Sequence, residues 1–224
     1  MNQTAEKIIE TIPVTGGVDF KRIASELVGS IDFHDCYFQK SLLFIVFNPV
    51  FWNIVARLEY STHFLTKLAG GNAKRGCYLL AIIIFTLGIG RDLMFEKALR
   101  LQPSLPLFQN LYVKMLGYVF TAIGQVFVLT SMYQLGVTGT YLGDYFGILM
   151  DHRVTSFPFN VSNNPMYQGS TLTFLGYTLL FAKPAGLIVT AMVHLMYKIA
   201  LRFEEPFTAK IYAQKQLDER RKHK

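Results

Sequence analysis

The chain has 224 residues, of which 51% are hydrophobic, a mean hydropathy of +0.30 and a formal net charge of +7. Such a composition implies one polytopic membrane domain and excludes a separate soluble catalytic domain. The basic residues flank apolar runs and form no aromatic-basic platform, which argues against nucleic acid and for anionic lipid headgroups as their partner. Cys36 and Cys77 suit neither a disulfide framework nor a zinc site, and no His pair stands at ligand spacing, so no metal is expected.

Residues 1–36 hold six acidic and three basic side chains and no apolar h-region, so a cleaved signal peptide is not indicated. They read as a polar lead-in with one short amphipathic helix near 18–28. Five uncharged runs follow, at 41–56, 76–90, 115–137, 166–182 and 184–197. A perpendicular span needs about 20 residues; only the third run reaches that unaided, and the others borrow flanking residues or tilt. The expected fold is all-α, a polytopic integral membrane bundle of four to five membrane helices over 37–206, followed by a basic tail at 207–224. Asn48-Pro49 interrupts the first run, where a proline removes a backbone donor and kinks a helix; a kinked span and a re-entrant hairpin both fit it. Trp52 suits an interfacial anchor, and Asn53, Arg57 and Glu59 close the run at the interface.

His63, Lys67, Lys74 and Arg75 make the next connection basic, which marks it as cytosolic. The second run exits through Arg91, Asp92, Glu96, Lys97 and Arg100. With five crossings the acidic N-terminus is lumenal and the tail, carrying Lys210, Lys215, Arg220, Arg221, Lys222 and Lys224, is cytosolic. Beyond the third run Gly139, Gly143 and Gly147 stand at i, i+4 and i+8, a small-residue stripe that lets another helix approach closely. Asp144 beside Tyr145 reads as a cap or surface charge before it reads as a proton acceptor. Asp151, His152 and Arg153 lead into FPFNVSNNPMYQGS at 157–170, whose Asn163-Asn164-Pro165 serves equally well as a turn capping the next helix.

On the last helix His194, Lys198 and Arg202 recur every four residues and share a face with Glu205, whereas Glu204 shares the face of Tyr197 and Leu201. Glu205 is therefore expected to be held by neighbouring cations, leaving Glu204 to face a ligand. An acidic side chain deep in hydrocarbon costs roughly 2.5–3.5 kcal/mol. A chain that keeps two where a membrane helix emerges uses them on something cationic.

NPVFWNIVARLEY, TGTYLGDYFGILMDHRVTSFPFNVSNNPMYQGSTL, KPAGL and ALRFEEPFTAKIYAQ together resemble the phospholipid N-methyltransferases, from about Phe47 to Gln214, and GGNAKRGCYLL resembles the short members of that family. The resemblance implies S-adenosylmethionine as donor and a multi-pass protein of the endoplasmic reticulum membrane, with a mitochondrial membrane as a second location. The implied acceptors are phosphatidyl-N-methylethanolamine and phosphatidyl-N,N-dimethylethanolamine, with phosphatidylethanolamine left open, and the implied product is phosphatidylcholine. The family's Glu-Glu signature matches Glu204-Glu205, and its Gly-x-Gly position falls on Ala122, Ile123 and Gly124, with alanine replacing the first glycine. These five are the expected cofactor-binding residues, and Glu204, Asn164 and Tyr167 the expected catalytic ones. Tyr141, Tyr145, Phe157, Phe159 and Tyr167 can surround a methylated ammonium, each cation–π contact contributing roughly 0.5–2 kcal/mol, and Arg153 can meet the lipid phosphate. The competing readings are a methyltransferase for another lipidated acceptor such as a prenylcysteine, and a non-catalytic scaffold or small transporter. Nothing in the sequence sets the oligomeric state.

Overall fold

A computed structural model describes residues 20–151 and 154–222. Among them every regular element is helical: α1 (Phe20–Gly29), α2 (Cys36–Thr62), α3 (Phe64–Leu68), α4 (Ala73–Leu101), a 3-10 turn at Pro106–Gln109, α5 (Leu111–Thr140), a second 3-10 turn at Gly143–Phe146, α6 (Pro165–Phe181) and α7 (Ala185–Lys222). The expected amphipathic helix near 18–28 is α1 where it is described; residues 1–19 of the lead-in lie outside the described residues.

The first apolar run forms one continuous helix and no re-entrant hairpin. Asp35 starts α2 by accepting the Phe38 N–H at 2.7 Å, and the helix continues through Pro49 to a left-handed cap at His63. Its 27 residues extend about 40 Å, beyond the roughly 30 Å of a hydrocarbon core. Glu59, expected at the interface, is fully buried. Its carboxylate accepts the Leu65 N–H at 2.7 Å and the Thr66 hydroxyl at 2.5 Å, so it caps the short α3 that follows. The second run is likewise only part of its helix, because α4 carries on through Arg91 to Leu101. α7 is not ended by Pro206 and runs into the basic tail as far as Lys222.

Close contacts fix the helix directions. Trp52 and Asn53 of α2 reach Glu204 of α7, Arg91 of α4 reaches Tyr197, and Leu99 lies against Gly186. α2, α5 and α7 therefore run one way and α4 and α6 the other. The basic 63–75 connection, residues 147–151 and 154–164, and the C-terminal part of α7 share one end of the bundle. At the opposite end Gln102 clamps the Asp32 backbone, accepting its N–H at 3.0 Å and donating to its carbonyl at 2.7 Å, while Lys183 donates to the Gln102 carbonyl.

The Gly139, Gly143, Gly147 stripe does not form on one helix. Gly136 adopts φ 61°, Leu142 sits at φ 61°, and the chain turns through a 3-10 segment that Gly147 closes at φ 76°. The close helix approach occurs instead between α5 and α6, at Gly117 against Gly176 and at Gly124 against Gly169. A Cβ on Gly124 would stand 2.5 Å from the Gly169 carbonyl oxygen, and one on Gly169 would stand 2.6 Å from that of Gly124. Only glycine permits this separation.

Two apolar clusters complete the core. Phe38, Ile45, Phe95, Leu99, Phe174 and Val193 join α2, α4, α6 and α7. Ala56, Leu65, Cys77, Leu80, Tyr145 and Phe146 join α2, α3 and α4 to the second 3-10 turn. The outside is apolar as well: Leu43, Ile54, Ile82, Phe85, Leu129 and Tyr133 are all exposed. Helices long and apolar enough to cross a membrane cover Cys36–Thr62, Ala73–Leu101, Leu111–Phe146 and Ala185–Leu217. The protein is a multi-pass membrane bundle, in which the 17-residue α6, about 25 Å long, packs as the fifth helix.

Candidate active site

α2, α4, α5, α6 and α7 line a partly open cavity of about 500 Å³ that reaches from the 141–150 segment to Arg91, within the range usual for small-molecule sites. Glu204 lies on its wall. One carboxylate oxygen, Oε1, accepts the Trp52 indole N–H at 2.7 Å and the Asn53 amide at 2.9 Å, and Oε2 accepts the Tyr167 hydroxyl at 2.6 Å. All three donors are neutral, so the carboxylate is oriented without having its charge cancelled. Sequence reasoning missed Trp52 and Asn53, because a tryptophan ending an apolar run reads as an interfacial anchor. The available signal was the adjacent Asn53, whose amide also bonds the Pro49 carbonyl one turn back at 3.0 Å.

Tyr197, seven residues before Glu204, projects from the same face of α7, two turns earlier. Its ring meets that of Tyr167 edge-on at 4.8 Å, and its hydroxyl contacts Ser170 Oγ at 3.1 Å and accepts from Arg91 at 2.6 Å. Towards the loop end Asp144 accepts the Thr208 hydroxyl at 2.6 Å. Two buried acceptors on the cavity wall, Asn48 Oδ1 and Thr140 Oγ1, have no hydrogen-bond partner among the described residues. A buried polar atom without a bond is uncommon and marks a place where a ligand or water supplies one.

A family model described as "Phospholipid methyltransferase" matches residues 112–215, which hold Tyr167, Tyr197 and Glu204. Over 193 residues the chain is 61% identical to a phosphatidyl-N-methylethanolamine N-methyltransferase of Saccharomyces cerevisiae, covering 86% of this chain and 93% of that one. This chain belongs to the phospholipid methyltransferase family. It is also 55% identical to the Neurospora crassa protein of the same name, over 85% of this chain and 89% of the relative. A mouse phosphatidylethanolamine N-methyltransferase is 49% identical over 85% of this chain and 96% of its own length. No solved structure matches the chain.

In this family member the expected site residues divide. Glu204, Tyr167 and Asn164 line the cavity together. Asn164 is the N-cap residue of α6 but makes no capping bond with its side chain; its amide donates instead to Glu205 Oε1 at 2.8 Å. That bond corrects the expectation that cations hold Glu205. The side chains of His194, Lys198 and Arg202 are exposed on the outer face, and among the described residues none of them forms an ion pair with Glu205, which is itself exposed. Ala122 and Ile123 are exposed on α5, and Gly124 is buried against Gly169, so none of the three lines the cavity. Of the aromatic set, Tyr141, Phe159 and Tyr167 face the cavity. Phe157 is an exposed neighbour of Phe127, and Tyr145 is buried and stacked on Phe207 at 4.7 Å. His152 and Arg153 lie outside the described residues.

Proposed function

We propose that this chain methylates phosphatidyl-N-methylethanolamine and phosphatidyl-N,N-dimethylethanolamine to phosphatidylcholine, using S-adenosylmethionine, in the endoplasmic reticulum membrane with its catalytic end towards the cytosol. The observation that carries the reading is Glu204: a carboxylate aimed into a membrane-walled cavity by three uncharged donors. Relatives named for this reaction align over most of the chain. The basic 63–75 connection and the basic tail share the end nearest Glu204, which supports the orientation.

When bound, the donor supplies an electrophilic methyl group on a sulfonium; the rest falls to this chain's residues. Glu204 binds the cationic part of the donor. Tyr141, Phe159 and Tyr167 present ring faces or edges to cationic nitrogen, and the unpartnered Asn48 Oδ1 and Thr140 Oγ1 offer acceptors for N–H groups. Asn164 contacts a polar edge of the ligand from the loop. The helices exclude water and hold the reactants in line, which is most of what a methyl displacement needs. An acceptor delivered as an ammonium must first lose a proton, and Asp144, on the wall at the loop end, takes it. Gly124 serves the cavity indirectly by keeping α5 against α6.

The test uses purified protein, radiolabelled donor and each N-methylated lipid in turn. Labelled phosphatidylcholine is expected from both. Absence of any labelled choline lipid would refute the assignment.

A further inference from the structure

Arg91 is not used by the chemistry described above. It sits in the membrane-crossing α4, lines the cavity and has a side chain only 15% exposed. An arginine at such a position is costly unless it meets a partner or a ligand. Asp92 Oδ1 accepts from Nε at 2.9 Å and pairs by charge with Nη2 at 2.9 Å, and the Tyr197 hydroxyl accepts from Nη1 at 2.6 Å. A guanidinium carries five N–H groups, so three remain without a hydrogen bond. Tyr197 in turn meets Ser170 Oγ at 3.1 Å. Guanidinium and hydroxyls thus gather donors at the opposite end of the cavity from Asp144. Room is left beside them: Gly88, one turn before Arg91, also lines the cavity, and a Cβ there would meet nothing within 4 Å.

The separation from Glu204 selects the anion. Tyr197 and Glu204 are two turns apart on one helix face, about 10 Å along α7. An amino-acid zwitterion carries its ammonium and carboxylate on one carbon, about 3–4 Å apart, and cannot bridge that distance. In an acceptor lipid the phosphorus is four bonds from the nitrogen, about 5 Å, and the nitrogen attacks from about 3 Å. Together they span the scale of the gap.

Resting on the methyl-transfer reading above, we propose that Arg91, with Tyr197 and Ser170, binds the phosphodiester of the acceptor lipid, so that the headgroup lies along α7 with its nitrogen towards Glu204. Arginine presents paired N–H groups that match two phosphate oxygens. Asp92 neutralises the guanidinium when no lipid is bound, and its bonds leave the remaining donors available.

The experiment compares two acceptors in micelles with the full chain: the N-monomethyl phospholipid, and a diacyl lipid with the same N-methylaminoethyl group but an uncharged link in place of the phosphate. The wild type is expected to favour the phospholipid in kcat/KM by about tenfold or more, the scale of a hydrogen bond to a charged group. Arg91→Gln should bring the two acceptors within about threefold, through the phospholipid KM, while the equilibrium Kd for the methyl donor stays within about twofold. Arg91→Lys should fall between, and Tyr197→Phe should lose part of the preference; these two read the same ratio if Arg91→Gln does not fold. An equal loss on both acceptors assigns Arg91 a structural role and overturns the proposal. So does a raised donor Kd, which would put the donor's carboxylate on Arg91. A wild type that methylates neither lipid refutes the methyl-transfer reading itself, and the subsite with it.

Discussion

Replacing Glu204 with glutamine separates the charge of this residue from its shape. The side-chain oxygen that remains can still accept from Trp52 and Asn53, which now stand at 2.7 and 2.9 Å from Oε1. The new amide group faces the Tyr167 hydroxyl, at present 2.6 Å from Oε2, and that hydroxyl can rotate from donating to accepting. The bonds are thus replaced almost one for one, and thermal stability should change little. What disappears is the negative charge. A hydrogen bond to a charged group contributes about 1.5–3 kcal/mol net, so donor affinity should fall by about 10- to 150-fold. Equilibrium binding of labelled donor to the purified variant, with a melting curve on the same sample, is the assay. Binding within about twofold of wild type, at unchanged stability, would refute the claim that Glu204 recognises the cation.

Glu205→Gln provides the contrast, because Glu205 is exposed and its Asn164 bond can survive on the remaining oxygen; the loss in donor binding should stay at about 0–1 kcal/mol. Gly169→Ala forces a Cβ against the Gly124 carbonyl and Phe127, so thermal melting should report a destabilisation of about 1–3 kcal/mol, whereas Gly88→Ala, which meets open space, should be neutral or gain up to about 1 kcal/mol in melting. Glu59→Gln turns one acceptor oxygen into a donor opposite the Leu65 and Thr66 N–H groups, and should cost about 1–3 kcal/mol of stability with the donor Kd of the folded fraction unchanged. A glycosylation reporter inserted beside Asn160 in an extended 157–164 loop should remain unmodified if that end is cytosolic; a glycosylated reporter would reverse the orientation.

Much of the architecture was legible because a bilayer imposes length and polarity on any helix that crosses it. The five apolar runs correspond to α2, α4, α5, α6 and α7. Their ends were less legible, since Arg91 to Leu101 and the tail beyond Pro206 continue as helix despite charge and proline. Glu204 was placed correctly on the face of Tyr197 because seven residues make two turns wherever the helix lies. Its partners were not foreseeable, as Trp52 and Asn53 stand about 150 positions away in sequence and only packing joins them. The same limit applies to Arg91 and Tyr197, separated by 106 positions. The Gly139 stripe misled because its spacing presumes a helix that Gly136 and Leu142 break. The spacing that matters, Gly117 to Gly124 and Gly169 to Gly176, becomes informative only when two helices are laid against each other.

The glycine contact between α5 and α6 has a bearing on how this enzyme could change its substrate range. With backbone carbonyls and the Thr121, Thr173 and Phe127 side chains already against the four glycines, that seam has no room for a larger residue at any of them. Variation in the girth of accepted headgroups must then arise at other surfaces, where Gly88 of α4 is the position that can grow without displacing a neighbour.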